Sequence, residues 1–315
     1  MKRSFAMVMA AMMAAGMLAG CSGKAEEPTA AAAETTAAET EEAGAETAAE
    51  ETEAASGEAE PASGGAEAAS EEKAASEIAA SGEETEILVA AAASLKNAYE
   101  EELIPMFEEA NPGVTVSGTY DSSGKLQTQI EEGLEADVFM SAATKQMDAL
   151  NAEGLIASDT IVNLLENKIV LIVPSSSQLG LTAFEDIAKA ETIALGDPAS
   201  VPAGQYAEEA LTNLGIWDSI QDKVSFGTNV TEVLNQVAAS SADAGIVYAT
   251  DAASMADQVT VIAEAPEGSL AEPVIYPVAV VANSAHPDEA NAFVEFLKTG
   301  EAMAVFEAYG FSAGQ

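Results

Sequence analysis

From Ile87 to the end of the chain, short apolar runs alternate with longer amphipathic runs, and this alternation restricts the fold more than any other feature. Strands that alternate with helices predict βα units, with a mainly parallel sheet covered by helices on both faces. The predicted strands lie near residues 87–92, 114–120, 138–141, 168–173, 192–195, 223–226, 244–248, 259–262 and 274–281.

The predicted elements form two βα series that are joined by two strand-like passages. This order predicts an α/β fold with two lobes and a two-stranded hinge between them. We expect residues 87–170 to form the first part of lobe 1 and residues 171–275 to form lobe 2. Residues 276–315 then supply a return strand and C-terminal helices, mostly to lobe 1.

The N-terminal residues have the pattern of an export signal rather than of a folded domain. Lys2 and Arg3 precede an apolar run, and small residues stand directly before Cys21, the only cysteine. We predict a signal peptide at residues 1–20 and lipidation of Cys21, as in a bacterial lipobox. The alternative is an ordinary signal peptide with an unmodified cysteine.

The following residues, 21–86, are predicted to form a tether. From Ala25 to Glu86 the chain consists almost entirely of Ala, Glu, Thr, Ser and Gly, and it holds 19 of the 53 acidic residues. Such a segment cannot bury enough apolar surface to fold alone, so we predict a disordered spacer. Its many alanines leave a transient helix as the alternative.

Charge limits the partners of the remaining part of the chain. Residues 87–315 carry 34 Asp and Glu against seven Lys, and they contain no Arg. Nucleic acid is therefore an implausible partner. Any bound anion has to be held by neutral donors such as hydroxyl groups, backbone N–H groups and helix N-termini.

Residues suited to that task stand where predicted strands end and helices begin. Ser94 follows the first strand in the position of a helix N-cap, and Ser122-Ser123-Gly124 follows the second. Small residues at 197–204 and a capping-box pattern at 228–232 precede two later helices, and Tyr248 ends a strand. A serine before a helix is usually only a cap. Together, however, these positions predict a ligand site beyond the carboxyl ends of the strands.

At these positions the sequence resembles the periplasmic molybdate-binding proteins of ABC importers, and the similar motifs occur in that family's order from Ile87 onward. The motifs are Ala91-Ala92-Ala93-Ser94-Leu95, Ser122-Ser123-Gly124-Lys125-Leu126, residues 136–142, Gly196-Asp197-Pro198, Val201-Pro202-Ala203-Gly204, Gly245-Ile246-Val247-Tyr248, residues 276–281 and Tyr309-Gly310-Phe311. The resemblance implies a type II periplasmic-binding fold. It also implies that an oxyanion, molybdate or tungstate, is held by hydroxyl groups and main-chain amides. The implied contacts are Ser94, Ser123, Ala203, Val230 and Tyr248.

The resemblance further implies a monomeric receptor that closes on its ligand and delivers it to an ABC permease in the membrane. It would be exported and anchored through Cys21 to the outer face of the bacterial cytoplasmic membrane, or periplasmic. We expect no enzymatic activity, no cofactor and no metal bound as a cation. The alternatives are a receptor for another small oxyanion, such as sulfate or phosphate, and a secreted enzyme or adhesin on the acidic tether.

Other polar residues are weaker candidates for a functional role. Lys125 either lends charge to the cleft or points into solvent, and we favour solvent. Asp121 would repel a dianion but would accept a proton from hydrogen phosphate. His286, the only histidine, has no evident catalytic partner and suits a turn or cap before a helix. Pairs such as Glu101-Glu102 are typical of solvated helix faces.

Overall fold

The computed structural model describes residues 84–314. The predicted signal peptide, Cys21 and nearly all of the predicted tether therefore lie outside the described residues. The first strand begins at Thr85, so the last two residues assigned to the tether, 85 and 86, belong to the folded domain. Among the helices of residues 84–314, none has the length and apolar character needed to cross a bilayer.

A six-stranded mixed sheet forms the first lobe. Its strands, in chain order, are β1 (Thr85–Ala92), β2 (Val114–Asp121), β3 (Val138–Met140), β4 (Val162–Asn167), β10 (Val274–Val280) and β11 (Ser312–Ala313). Their order across the sheet is β11-β4-β10-β3-β1-β2. Strand β1 pairs in parallel with β2 and β3, whereas β10 pairs antiparallel with β3 and β4.

A five-stranded mixed sheet forms the second lobe. Its strands are β5 (Ile169–Pro174), β6 (Ile193–Gly196), β7 (Val224–Gly227), β8 (Ala244–Tyr248) and β9 (Val259–Glu264). Their order is β7-β6-β8-β5-β9, with parallel pairing from β7 to β8 and antiparallel pairing of β5 with β8 and β9. The strand-helix pattern thus locates the parallel half of each sheet. In each lobe, the strand by which the chain arrives from the other lobe, β10 or β5, runs antiparallel to both of its neighbours.

Within the described residues the chain passes between the sheets at two places. Lys168 alone separates β4 from β5, and residues 265–273 separate β9 from β10. Both passages lie next to the predicted boundaries at residues 170 and 275. Because only two short segments connect the lobes within the described residues, relative rotation of the lobes requires changes at only a few backbone positions.

Helices cover the faces of both sheets. The helical segment α1 spans residues 93–110, beginning with a 3-10 turn at Ala93–Leu95 and including a π turn at Tyr99–Leu103. The others are α2 (Ser123–Glu131), α3 (Thr144–Ala152), α4 (Pro202–Asn213), α5 (Trp217–Ile220), α6 (Val230–Ala238), α7 (Ala249–Ser254), α8 (Pro287–Leu297) and α9 (Gly300–Ala308), with 3-10 turns at Ser158–Thr160, Phe184–Lys189 and Gln221–Lys223.

An aromatic cluster fixes α1 against the C-terminal helices of the first lobe. The rings of Phe107 and Phe293 meet edge to face with centroids 4.9 Å apart, and Tyr99 packs against Phe293 and Phe306 at about 6 Å. Tyr99, Phe293 and Phe306 have no exposed surface. This packing holds the N-terminal end of α1, where Ser94 lies, at a fixed position relative to the sheet.

Candidate functional site

A small cavity lies between the lobes, beyond the carboxyl ends of β1, β2, β6 and β8. The structure brings all five residues predicted from the sequence to this one cavity. Its lining comprises Ala92, Ala93, Ser94, Asp121, Ser122, Ser123, Ala142, Val201, Pro202, Ala203, Val230 and Tyr248. The enclosed space is small, with room for about one water-sized group.

Ser94 reaches the cavity from the first turn of α1. The predicted N-cap role of Ser94 is wrong, because the helix begins at Ala93 and Ala92 occupies the cap position without a side-chain bond. The Ser94 hydroxyl oxygen instead lies 3.0 Å from the hydroxyl oxygen of Tyr276 on β10. A tertiary contact therefore replaces the local cap that the sequence pattern suggests.

Ser123 is the first residue of α2 and is completely buried. Its hydroxyl oxygen accepts a hydrogen bond of 3.0 Å from the backbone N–H of Ala142. A serine hydroxyl has a single proton, and acceptance from Ala142 leaves that proton available to a guest in the cavity. Ser123 can therefore donate a hydrogen bond to a guest.

Ser122 adds a hydroxyl that the sequence analysis did not assign to the ligand. It occupies the N-cap position of α2, yet its side chain makes no cap hydrogen bond. Ser122 is 3% exposed, and its buried hydroxyl has no hydrogen-bond partner among the described residues. Because an unpaired buried hydroxyl is costly, its position in the cavity wall indicates a contact to a bound guest. The double serine at 122–123 was the only sequence signal for this role.

The second lobe contributes the N-termini of two helices. Ala203 is the second residue of α4, which starts at Pro202, and Val230 is the first residue of α6. Amide N–H groups in a first helical turn have no acceptor within the helix, and the helix dipole favours an anion there. Both residues are nearly fully buried, at 1% and 4% exposure. These amides can therefore bind an anion away from bulk water.

An N-cap at Asn229 fixes the start of α6, but the capping box that the pattern at residues 228–232 predicts is only half formed, because Glu232 bonds to Thr228 and not to the backbone N–H of Asn229. The side chain of Asn229 accepts a 2.9 Å hydrogen bond from the backbone N–H of Glu232. The Glu232 carboxylate in turn accepts from the backbone N–H and the hydroxyl of Thr228, at 2.7 and 2.8 Å. These bonds hold the pKa of Glu232 below its usual value. The cap thereby sets the direction of the Val230 amide.

Tyr248 lies at the end of β8 and is 1% exposed. Its ring meets that of Tyr276 edge to face with centroids 5.5 Å apart. Burial raises the pKa of Tyr248 well above its usual value, so the hydroxyl keeps its proton. That hydroxyl donates to the carbonyl oxygen of Ala142 in the first lobe at 3.3 Å. The bond is long, and a bound anion would be a stronger acceptor.

The carboxylate of Asp121 also lines the cavity, but its charge is compensated locally. Lys125 places its ammonium nitrogen 3.2 Å from an Asp121 oxygen, so this lysine is not simply directed into solvent as expected. The same oxygen accepts from the backbone N–H of Ser122 at 2.8 Å and from the side chain of Asn229 at 3.2 Å. The carboxylate is therefore engaged by protein donors.

Several hydrogen bonds join the lobes around the cavity. The backbone N–H of Gly124 donates to the carbonyl of Ser200 at 2.9 Å, and the side chains of Gln146 and Gln205 bond at 3.3 Å. With the bonds from Asn229 to Asp121 and from Tyr248 to Ala142, they surround the cavity on several sides. The described residues are thus in a closed arrangement, with the lobes in direct contact.

His286 does not line this cavity. It occupies the N-cap position of α8, and its backbone N–H donates to the hydroxyl of Ser284 at 3.0 Å. This placement agrees with the turn role expected from the sequence. Within residues 84–314, no group of three or more His, Cys, Asp or Glu residues is arranged to hold a metal ion.

Comparison with known proteins identifies the family. The family model described as "Bacterial extracellular solute-binding protein" matches residues 87–312. The chain belongs to this family. A relative in Bacillus subtilis, YvgL, whose name describes an ABC transporter substrate-binding lipoprotein, is 41% identical over 227 residues, which cover 72% of this chain and 86% of the relative.

Two further relatives of this solute-binding protein are named for molybdenum. The molybdate-binding protein ModA of Haemophilus influenzae is 39% identical over 235 residues, covering 72% of this chain and 90% of the relative. A solved structure from Clostridium difficile, described as the substrate-binding domain of a molybdenum ABC transporter, is 37% identical with a TM-score of 0.58. It matches 73% of this chain and 100% of that structure's chain. The resemblance and the two-lobed fold inferred from the sequence are confirmed.

Proposed function

We propose that this solute-binding protein captures molybdate or tungstate between its lobes and delivers the ion to an ABC permease in the membrane. The proposed contacts are the hydroxyl groups of Ser94, Ser123 and Tyr248 and the main-chain amides of Ala203 and Val230, with Ser122 as an added donor. We further propose that the protein acts as a monomer, anchored outside the cytoplasmic membrane through Cys21. It would act as a receptor without catalysis or a cofactor.

One observation carries the proposal: apart from the Asp121 carboxylate, which is paired with Lys125, the polar groups that line the cavity can all donate hydrogen bonds. Ser123 accepts from Ala142 N–H and keeps its own proton to donate, Ser122 has an unpaired hydroxyl, and two helix N-termini add amides. A fully deprotonated tetrahedral dianion has acceptors on all sides and no proton to donate. Donors around it therefore satisfy every lone pair, and the helix ends supply partial positive charge.

Sulfate and hydrogen phosphate are the nearest competing ligands. Sulfate is also fully deprotonated. Discrimination between sulfate and molybdate therefore depends on the size of the cavity rather than on hydrogen-bond polarity. Hydrogen phosphate carries a proton that needs an acceptor. Asp121 is the only carboxylate in the lining, and its ion pair with Lys125 reduces its capacity for that role. The names of two relatives favour molybdate.

Isothermal titration calorimetry of the purified chain tests the proposal. We expect micromolar or tighter dissociation constants for molybdate and tungstate, and clearly weaker binding of sulfate and phosphate. An absence of molybdate and tungstate binding at micromolar concentrations would contradict the proposed ligand. Tight binding of sulfate alone would support the alternative receptor, and turnover of an anionic substrate would support an enzyme.

Replacing Ser123 with alanine tests the contacts within the site. The substitution removes one donor to the anion and leaves the Ala142 N–H without its acceptor. Hydrogen bonds to charged groups contribute about 1.5 to 3 kcal/mol, so we expect molybdate affinity to fall tenfold or more. Ser176→Ala is a matched control, because Ser176 is exposed in the second lobe. Equal molybdate affinities of Ser123→Ala and Ser176→Ala would show that Ser123 does not contact the ion.

A further inference from the structure

A buried chain of hydrogen bonds connects the cavity to the passage between the lobes. The Ser94 hydroxyl oxygen lies 3.0 Å from that of Tyr276, and the side-chain nitrogen of Asn167 donates to the Tyr276 oxygen at 3.2 Å. The same nitrogen donates to the hydroxyl of Thr250 at 2.9 Å. Asn167 ends β4, directly before the single residue that separates the two sheets. Tyr276, Asn167 and Thr250 are 0%, 8% and 6% exposed.

The orientation of the Asn167 amide is fixed by its neighbour. The backbone N–H of Lys168 donates to the side-chain oxygen of Asn167 at 2.8 Å. A backbone N–H can only donate, so the oxygen of the amide has to face Lys168 and the nitrogen has to face Tyr276 and Thr250. An amide nitrogen can only donate. The Tyr276 oxygen therefore acts as an acceptor toward Asn167.

The direction of the next bond follows from the proton of Tyr276. Burial raises the pKa of Tyr276 well above its usual value, so its hydroxyl keeps the proton. The Tyr248 hydroxyl also lies near that of Tyr276, but Ser94, at 3.0 Å, is the other partner with hydrogen-bond geometry among the described residues. If Ser94 donated to Tyr276, the buried Tyr276 proton would be left without a well-aligned acceptor, which is costly. Tyr276 therefore donates to Ser94, and the Ser94 proton is free to point into the cavity.

We propose that Asn167 and Tyr276 set the hydrogen-bond polarity of Ser94 and thereby select fully deprotonated oxyanions over protonated ones. Both are positioning residues, since they act on the guest through Ser94. The inference rests on the proposed oxyanion function and adds a specificity mechanism to it. Bonds in such a chain also polarise one another, which strengthens the final donor.

Asn167→Asp tests the direction of the chain. A carboxylate at this position accepts from Lys168 N–H, Thr250 and Tyr276, so Tyr276 turns its proton away from Ser94. Ser94 then donates to Tyr276 and presents a lone pair to the cavity. The ligands to compare at pH 8 are molybdate and hydrogen phosphate. Both are dianions, and only the second carries a proton, so the added negative charge repels both and cancels in the ratio of their affinities.

For Asn167→Asp, we expect the ratio of molybdate to hydrogen phosphate affinity to fall at least about tenfold relative to the unmodified protein. Asn163→Asp, which adds the same charge at an exposed position of β4, should leave the ratio unchanged. Equal losses for both ligands in Asn167→Asp would overturn the inference, because they would indicate a charge or folding effect only. Absence of molybdate binding by the unmodified protein would overturn the proposed function and this inference together.

Tyr276→Phe provides a second test that adds no charge and keeps the ring. Without the phenolic hydroxyl, Ser94 loses its donor and its hydroxyl can rotate to accept a proton from hydrogen phosphate. We expect the affinity ratio to fall several-fold, with the unfolding transition measured in parallel to verify that the variant is folded. An unchanged ratio in this folded variant would overturn the inference even if Asn167→Asp does not fold.

Discussion

Replacing Gly124 with alanine is expected to weaken molybdate binding about 100-fold without removing any group that contacts the ion. A Cβ at this position would lie 2.7 Å from the Cα of Ser200 and also too close to its carbonyl group. Ser200 belongs to the opposite lobe, and its carbonyl accepts from Gly124 N–H at 2.9 Å. The lobes would therefore have to move apart. Forced overpacking costs about 1 to 3 kcal/mol, and loss of the hydrogen bond adds to this cost, which together correspond to about 100-fold in affinity.

Calorimetry and small-angle X-ray scattering distinguish this effect from a loss of folding. We expect Gly124→Ala to unfold at nearly the same temperature as the unmodified protein, while the compaction that accompanies saturation with molybdate is reduced. Gly300→Ala is the matched control, because it also lies in the first turn of a helix and no heavy atom is within 4 Å of the added Cβ. Full molybdate affinity in Gly124→Ala would show that contact between Gly124 and Ser200 is not required for binding.

The fold is largely predictable because its strands and helices have different apolar periods. The first βα units, from β1 to α3, follow directly from buried runs and the amphipathic segments after them. The antiparallel half of each sheet is less predictable. Strand β5 is a continuous apolar run, and its sequence does not reveal that it pairs with β8 and β9 rather than with the strands before it. That pairing depends on contacts between residues distant in sequence.

The positions of the site residues follow from the sequence better than their hydrogen bonds do. Strand ends and helix starts converge at one edge of an α/β sheet, so Ser123, Val230 and Tyr248 could be placed together before the structure was known. The hydrogen-bond partner of Ser94 could not be predicted from the sequence. Tyr276 lies 182 residues away along the chain, and nothing near Ser94 indicates that its hydroxyl bonds to a tyrosine rather than to its own helix.

Asn167 is the least predictable participant. In sequence it is a polar residue between two strands, which is typical of a turn. Its role depends on Lys168 N–H fixing its amide while Tyr276 and Thr250 approach from other elements. Polar networks of this kind are specified only by tertiary packing, and their directions follow from counting donors and acceptors.

The stability of the folded domain is expected to decline between about pH 4 and pH 7 through the carboxyl group of Asp251. This residue follows β8 in α7, is 6% exposed and accepts from the backbone N–H of Tyr248 at 3.3 Å. Burial raises its pKa to about 7, against an ordinary value of 3.8. Between these values the folded state holds a proton that the unfolded state has released, so the free energy of unfolding falls as pH rises. Above pH 7 both states are ionised, and the loss is complete.

The variant Asp251→Asn keeps an acceptor for the Tyr248 N–H, and its side chain does not titrate. A difference of about three pKa units corresponds to at most about 4 kcal/mol. We therefore expect the free energy of unfolding of Asp251→Asn, relative to that of the unmodified protein, to increase by a few kcal/mol from pH 4.5 to pH 8. Urea denaturation at a series of pH values measures this difference. Asp257→Asn, an exposed carboxylate beyond the same helix, should show no such increase. Parallel pH profiles for Asp251→Asn and the unmodified protein would mean that Asp251 is ionised throughout and that its burial is compensated by groups other than Tyr248 N–H.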